Sequence, residues 1–164
     1  MKSVLISIQP KWCELIASGK KTVEVRKTRP KLETPFKCYI YCTKNYSLGE
    51  FYTSKDLFAD PVQGKVIGEF VCDKVVSVVY NAKLIEKFVL FNTYAIEDAC
   101  LTTKEIEKYS NGKDLYGWHI SNLVIYDKPK ELSEFNHCGV NYHFNPPITR
   151  PPQSWCYVER SEGK

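Results

Sequence analysis

Ser3-Val4-Leu5-Ile6-Ser7-Ile8-Gln9-Pro10-Lys11-Trp12-Cys13-Glu14-Leu15-Ile16-Ala17-Ser18-Gly19-Lys20-Lys21-Thr22-Val23-Glu24-Val25-Arg26 follows Met1-Lys2 and sets the architecture of the chain. Ser3–Ile8 combines β-branched and leucine side chains over a strand length and reads as a buried strand. Gln9-Pro10 breaks it, and proline suits the first turn of a helix, where its missing N–H has no partner to lose. Trp12, Leu15 and Ile16 then share one helical face, and Gly19 stops the helix. Thr22–Arg26 alternates strictly. Side chains alternate across a strand, so Val23 and Val25 turn to the core while Thr22, Glu24 and Arg26 share the opposite face.

Working outward, Thr28–Pro35 is a basic loop and Phe36–Thr43 a strand. Gly64–Val79 is strand material with a charged break at Asp73-Lys74, Leu115–Tyr126 is the next strong strand, and Ser154–Glu159 closes the chain. Thr102 or Thr103 caps a helix running to Lys108 or Tyr109, which Asn111-Gly112 terminates. Leu132–Phe135 is a short turn or helix. Lys44–Gln63 reads as an irregular connection, Asn81–Tyr94 has weak helical spacing, and Asn141–Pro152 is a Pro-rich loop. Many strands with few helices place the chain in the α+β class, as a compact β-barrel with short helices around it. In 164 residues there is no repeat and no linker, so one domain is expected over residues 1–160, with 161–164 as a disordered tail. A chain of this length buries about 70% of its unfolded surface, enough for a core without disulfides or a structural metal.

The net charge of +4 is unevenly spread. Residues 1–44 hold ten Lys and Arg against three Glu, a local +7, and the remainder carries −3. Such an excess favours anionic partners, nucleic acid among them. Seven cysteines cannot all pair, and no CxxC occurs. Met1-Lys2 runs into an apolar segment too short for a signal-peptide core, and nothing approaches the roughly 18 apolar residues of a membrane span. Reduced thiols in a cytoplasm, without membrane attachment, are the expectation. His137-Cys138 with His143 is the only cluster with ligand chemistry and lacks a fourth partner at zinc-finger spacing, so neither metal nor cofactor is expected. No phosphate-binding glycine loop and no Gly-x-Ser-x-Gly nucleophile is present.

The densest polar cluster on ordered structure is Gly19–Arg26. A carboxylate at Glu24 between the cations of Lys21 and Arg26 stays ionised, because opposite charges favour the charged form. It can orient either cation or accept hydrogen bonds from a base edge. Lys21 and Arg26 can donate to phosphate or carbonyl oxygens, Arg26 bidentately. The plain alternative is a surface salt bridge between strand neighbours, which contributes little.

Gly19-x-Lys21-x-x-Glu24-x-Arg26 resembles the G-x-K-x-x-E-x-R signature of ASCH domains, which belong to the PUA-like superfamily. The strand and helix ahead of it match the family context. Tyr116-Gly117-Trp118-His119-Ile120 looks like the family's late strand, and Gln153-Ser154-Trp155-Cys156-Tyr157 resembles the closing segment of a longer bacterial and prophage branch. The resemblance covers residues 3–44 and 64–158. It implies a PUA-like β-barrel whose cleft, beside the first helix, binds single-stranded RNA or a modified nucleoside, in connection with translation or transcription. Lys21, Glu24 and Arg26 match the signature and line that cleft on this reading. Lys11, Arg29, Trp118 and His119 join the nucleic-acid-binding set from charge and position. Trp118 would stack on a base, with a core position as its alternative, and Trp155 belongs to the core.

Enzymatic alternatives stand beside this binding reading. Some small bacterial ASCH proteins resemble amidohydrolases that deacetylate an acetylated cytidine with a Lys, a Thr and a downstream Glu. Lys21 matches the lysine, but Glu24 stands where the threonine belongs. Thr22 is displaced by two residues, and the downstream acid would come from Glu97-Asp98. Metal-independent RNA cleavage would use Lys21 to stabilise an oxyanion and Glu24 or His119 as base. A protein-interaction module is the third reading. The leading expectation is a non-catalytic binding domain.

Overall fold

A computed structural model describes residues 2–44, 62–78, 97–139 and 145–160. The irregular connection read into the forties and fifties, the helical spacing of 81–94, His143 and the tail at 161–164 lie outside the described residues. The quoted stretch forms β1 (Ser3–Ile8), α1 (Pro10–Ala17) and β2 (Val23–Arg26), in the order the sequence predicts. Proline occupies the first turn of α1, Ser18 caps its end, and Gly19 takes a left-handed φ of 74° that a side chain would resist.

Two sheets carry the fold. β3 (Phe36–Cys42), β4 (Val66–Cys72), β7 (Ser121–Lys130), β8 (Phe135–His137) and β9 (Trp155–Arg160) join β1 in a six-stranded sheet ordered β7-β4-β3-β1-β9-β8. β5 (Val75–Val78) and β6 (Leu115–His119) join β2 in a three-stranded sheet ordered β2-β6-β5. β1 runs parallel to β3 and every other pairing is antiparallel. The sheets do not close into a barrel. The fold is mostly strand with α1 and a second helix, α2 (Thr103–Ser110), among the described residues.

β1 is covered on both faces, as its near-continuous apolar run requires. Val4, Ile6 and Ile8 face Ile16 of α1, Phe36, Cys38, Ile40 and Trp118 in one core, while Leu5 faces Tyr39, Tyr41, Phe135, Ile148 and Val158 in another. A third core joins Val23 and Val25 to Val78, Ala99, Ile106 and Leu115 beneath α2. All seven thiols are free. Burial pushes the Cys72 thiol up to about 12 and that of Cys156 to about 11, so both stay protonated at neutral pH.

Two readings of the sequence need correction. Leu115–Tyr126 is not one strand: β6 ends at His119, and Ile120 N donates to Thr22 O at 2.8 Å before the chain crosses to the larger sheet. Asn122, at φ 47°, sits just inside β7 where that crossing is made. β7 then lies so close to β4 that a Cβ at Gly68 would come within 2.4 Å of the Val124 carbonyl oxygen. The surface salt bridge, the plain alternative for Glu24, is also corrected. All four residues of β2 are buried, because the second face turns toward β1 and α1 instead of water.

Candidate functional site

The turn after α1 and the polar face of β2 deliver Lys21, Glu24 and Arg26 to one point. They expose only 3%, 6% and 8% of their surfaces. Lys21 Nζ lies 3.3 Å from Glu24 Oε2, and Arg26 Nη2 lies 2.9 Å from Glu24 Oε1. The carboxylate therefore holds a cation on each oxygen, which is what makes burial of the charges tolerable. This is a buried network and not the surface salt bridge that the spacing alone suggests.

Remote segments complete the partnerships. Lys21 Nζ donates to Ala99 O at 2.7 Å. Arg26 Nη2 donates to Ser7 O on β1 at 2.6 Å, and Nη1 to Ser154 Oγ at 3.4 Å. Thr22 N bonds to Asp98 O at 2.8 Å and the Cys100 thiol to Lys20 O at 3.4 Å, so the turn ahead of α2 is fastened along the signature. Among the described residues Lys21 Nζ makes one hydrogen bond, to Ala99 O, and meets Glu24 as an ion pair, as does Arg26. An ammonium has three donors and a carboxylate about four acceptor sites, so both groups keep hydrogen-bonding capacity. Arg26 Nε is buried with no hydrogen-bond partner among the described residues.

These three side chains line a cleft of about 690 Å³ between α1 and α2, a volume typical of small-ligand sites. Trp12 from α1 and Tyr109 from the last turn of α2 line it as well. Lys21 Nζ sits 5.1 Å from the centre of the Trp12 ring, and Lys27 Nζ 4.9 Å from that of Tyr109. Burial pushes the Tyr109 phenol above its ordinary pKa, with Glu24 adding to the rise and Arg26 opposing it, so the hydroxyl remains a donor. Ser7, Gln9, Thr28, Gln153 and Ser154 add neutral polar groups, and Glu105 an acid already engaged by Thr102.

The other sequence candidates lie elsewhere. Trp118 is fully buried, its ring edge-on to Phe36 and Trp155, and is not available to a base. His119 projects from the opposite face of β6, exposed, with Nδ1 2.7 Å from Asp73 Oδ1. Lys11 and Arg29 are exposed and do not line the cleft, although Lys11 Nζ rests 4.4 Å from the Trp12 ring centre. Thr22 is absent from the lining, and Glu97 and Asp98 turn their side chains to solvent; only the Asp98 carbonyl meets the signature. The three groups of the acyl-cytidine chemistry are therefore not brought together. Among the described residues no group of three His, Cys, Asp or Glu could hold a metal ion, and Cys138 instead donates to Glu159 at 3.3 Å.

Trp12, Tyr109, Gln9, Gln153 and Ser154 were missed by sequence reasoning. The helical apolar face placed Trp12 in the core, and nothing in the spacing tied Tyr109 or Gln153 to a signature more than eighty residues away. In the described residues no helix is long and apolar enough to cross a membrane.

Comparison with known proteins gives one family and one fold. The family model for the ASCH domain matches residues 6–130. The crystal structure of an ASCH protein from Zymomonas mobilis superposes with a TM-score of 0.60 at 22% identity, covering 96% of this chain and 87% of that one. A point mutant of the Zymomonas mobilis protein gives 0.61 at 21% identity, with coverage of 97% and 91%. No curated protein matches the sequence.

Proposed function

Because the chain belongs to the ASCH domain family, within the PUA-like superfamily, we propose that its cleft binds single-stranded RNA or a modified nucleoside through the buried Lys21–Glu24–Arg26 network. The observation that carries this reading is the convergence of that network with two aromatic rings around a space of about 690 Å³. Lys21 and Glu24 keep donor and acceptor capacity, the pairing that a base edge complements. Trp12 and Tyr109 offer π-faces on which a base stacks, a contribution of about 1–3 kcal/mol per base. The nearby cations, Lys27 at the lining and the exposed Lys11 and Lys20 around α1, attract the phosphates. Duplex RNA fits poorly, since its bases are stacked and cannot enter a concave site.

Binding of short single-stranded RNA, followed by fluorescence anisotropy over a salt series, tests this. Affinity falls steeply with salt, by about 0.7 log unit per log unit for each phosphate contact. Lys21→Ala lowers affinity by about tenfold or more, the loss of one hydrogen bond to a charged group, whereas Lys128→Ala on exposed β7 leaves it unchanged. Absence of binding, or equal effects of the two substitutions, refutes the reading.

A further inference from the structure

Two uncharged amides, Gln9 and Gln153, line the cleft beside the charged network. Both are exposed, and neither side chain is hydrogen-bonded to a described residue; Gln9 is the N-cap of α1 yet makes no capping bond. Gln9 follows β1 and Gln153 precedes β9, strands that form one antiparallel pair. Ile6 pairs with Trp155, and continuing that antiparallel register sets Gln153 beside Ile8 and Gln9.

Both amides stand on fixed backbone. Ser7 Oγ donates to Pro152 O at 2.6 Å and Ser7 N to Ser154 O at 2.9 Å, which pins the chain on either side of Gln153. Gln9 O accepts from Trp12 N at 2.9 Å and Cys13 N at 3.0 Å. The charged groups, by contrast, are largely committed to one another. A free side chain on a held backbone is a poor stabiliser of the fold and a well-placed contact for a ligand.

We infer that Gln9 and Gln153 are specificity-determining residues that read the hydrogen-bonding edge of a nucleobase, an inference that rests on the nucleic-acid binding proposed above. Each amide offers one acceptor group and two donors. That pattern matches the adjacent donor and acceptor of a base edge and carries no charge with which to attract phosphate. Gln153 also lies beyond residues 6–130, the part matched by the family model. Base preference can therefore differ between chains that share the charged signature.

Short single-stranded homopolymers of A, C, G and U, measured separately against the intact protein, give the test. The unaltered protein ranks the four bases, with about tenfold between best and worst. Gln153→Ala and Gln9→Ala flatten that ranking while the salt dependence stays as it was. Gln153→Glu keeps the shape but removes the donors, and reorders the ranking instead of flattening it. An unchanged ranking in all three variants overturns the inference, as does equal binding of all four polymers by the unaltered protein. Failure of the unaltered protein to bind any polymer instead refutes the proposed function itself.

Discussion

β2 has two faces that are equally dry and chemically opposite. Val23 and Val25 expose 5% each and pack under α2 against Leu115, Val78, Ala99 and Ile106. Glu24 and Arg26 expose 6% and 8% and meet Lys21, Ser7 and Ser154. One face is stabilised by removing apolar surface from water, at about 25 cal/mol per Å². The other has lost its hydration and keeps its charges only because each is paired. An apolar face tolerates small changes of shape, whereas a charged one tolerates no missing partner. Well-packed apolar residues of similar volume would serve stability at least as well, and the binding role proposed above gives the charged face a purpose that stability does not.

The largest expected effect removes the centre of the charged face. Glu24→Ala leaves Lys21 and Arg26 buried without a counter-charge and costs about 3–5 kcal/mol in urea unfolding; a cost below about 1 kcal/mol would erase the contrast. On the apolar face, Leu115→Ala costs about 3 kcal/mol through lost burial and the cavity it leaves. If the two faces act separately, RNA affinity of the folded Leu115→Ala protein is unchanged. Thr102 opens α2 with a capping box, its hydroxyl accepting from Glu105 N while the Glu105 carboxylate accepts from Thr102 N. Thr102→Ala loosens the helix that covers the apolar face and lowers stability by about 1 kcal/mol.

The smallest effects lie on exposed pairs and sharpen the comparison by contrast. His119 shares β6 with Trp118, but its partnership with Asp73 faces solvent, and Asp73→Asn changes stability by no more than a few tenths of a kcal/mol. Its sign with pH is fixed. The His119 hydrogen bond holds the Asp73 carboxyl below its ordinary value. The stabilisation is thus present above about pH 4, the unfolded value, and is lost as pH falls through the lower folded one. Acid titration of the Asp73→Asn protein should show a shallower loss of stability over that range than the unaltered protein; a steeper one contradicts the assignment.

Local order was legible because it depends on neighbours in sequence. Pro10 starting α1, Gly19 ending it, Thr102 with Glu105 opening α2 and the break at Asp73-Lys74 all act over a few residues. Lys21, Glu24 and Arg26 were legible as a cluster because they lie on one turn and one strand. Trp118 and His119 were harder. They are adjacent on β6, and alternation sends one into the core and the other to the surface, but which goes where depends on the sheet packed against it. Ile120 posed the same difficulty, since the polar pair Ser121-Asn122 that follows it interrupts the apolar residues without showing that the chain changes sheets there.

What the sequence by itself determined is the strand, helix, turn and strand of residues 3–26 and the three charged side chains they present, through propensity, capping and alternation. Only the tertiary structure decided that those charges would be buried, that Trp12 and Tyr109 would flank them, and that Ser154 would come to Arg26 from 128 residues away. The reason is physical. Local preferences fix which side of a strand a group occupies, but its solvent, its partners and its walls come from segments that meet only when the sheets pack with α1 and α2.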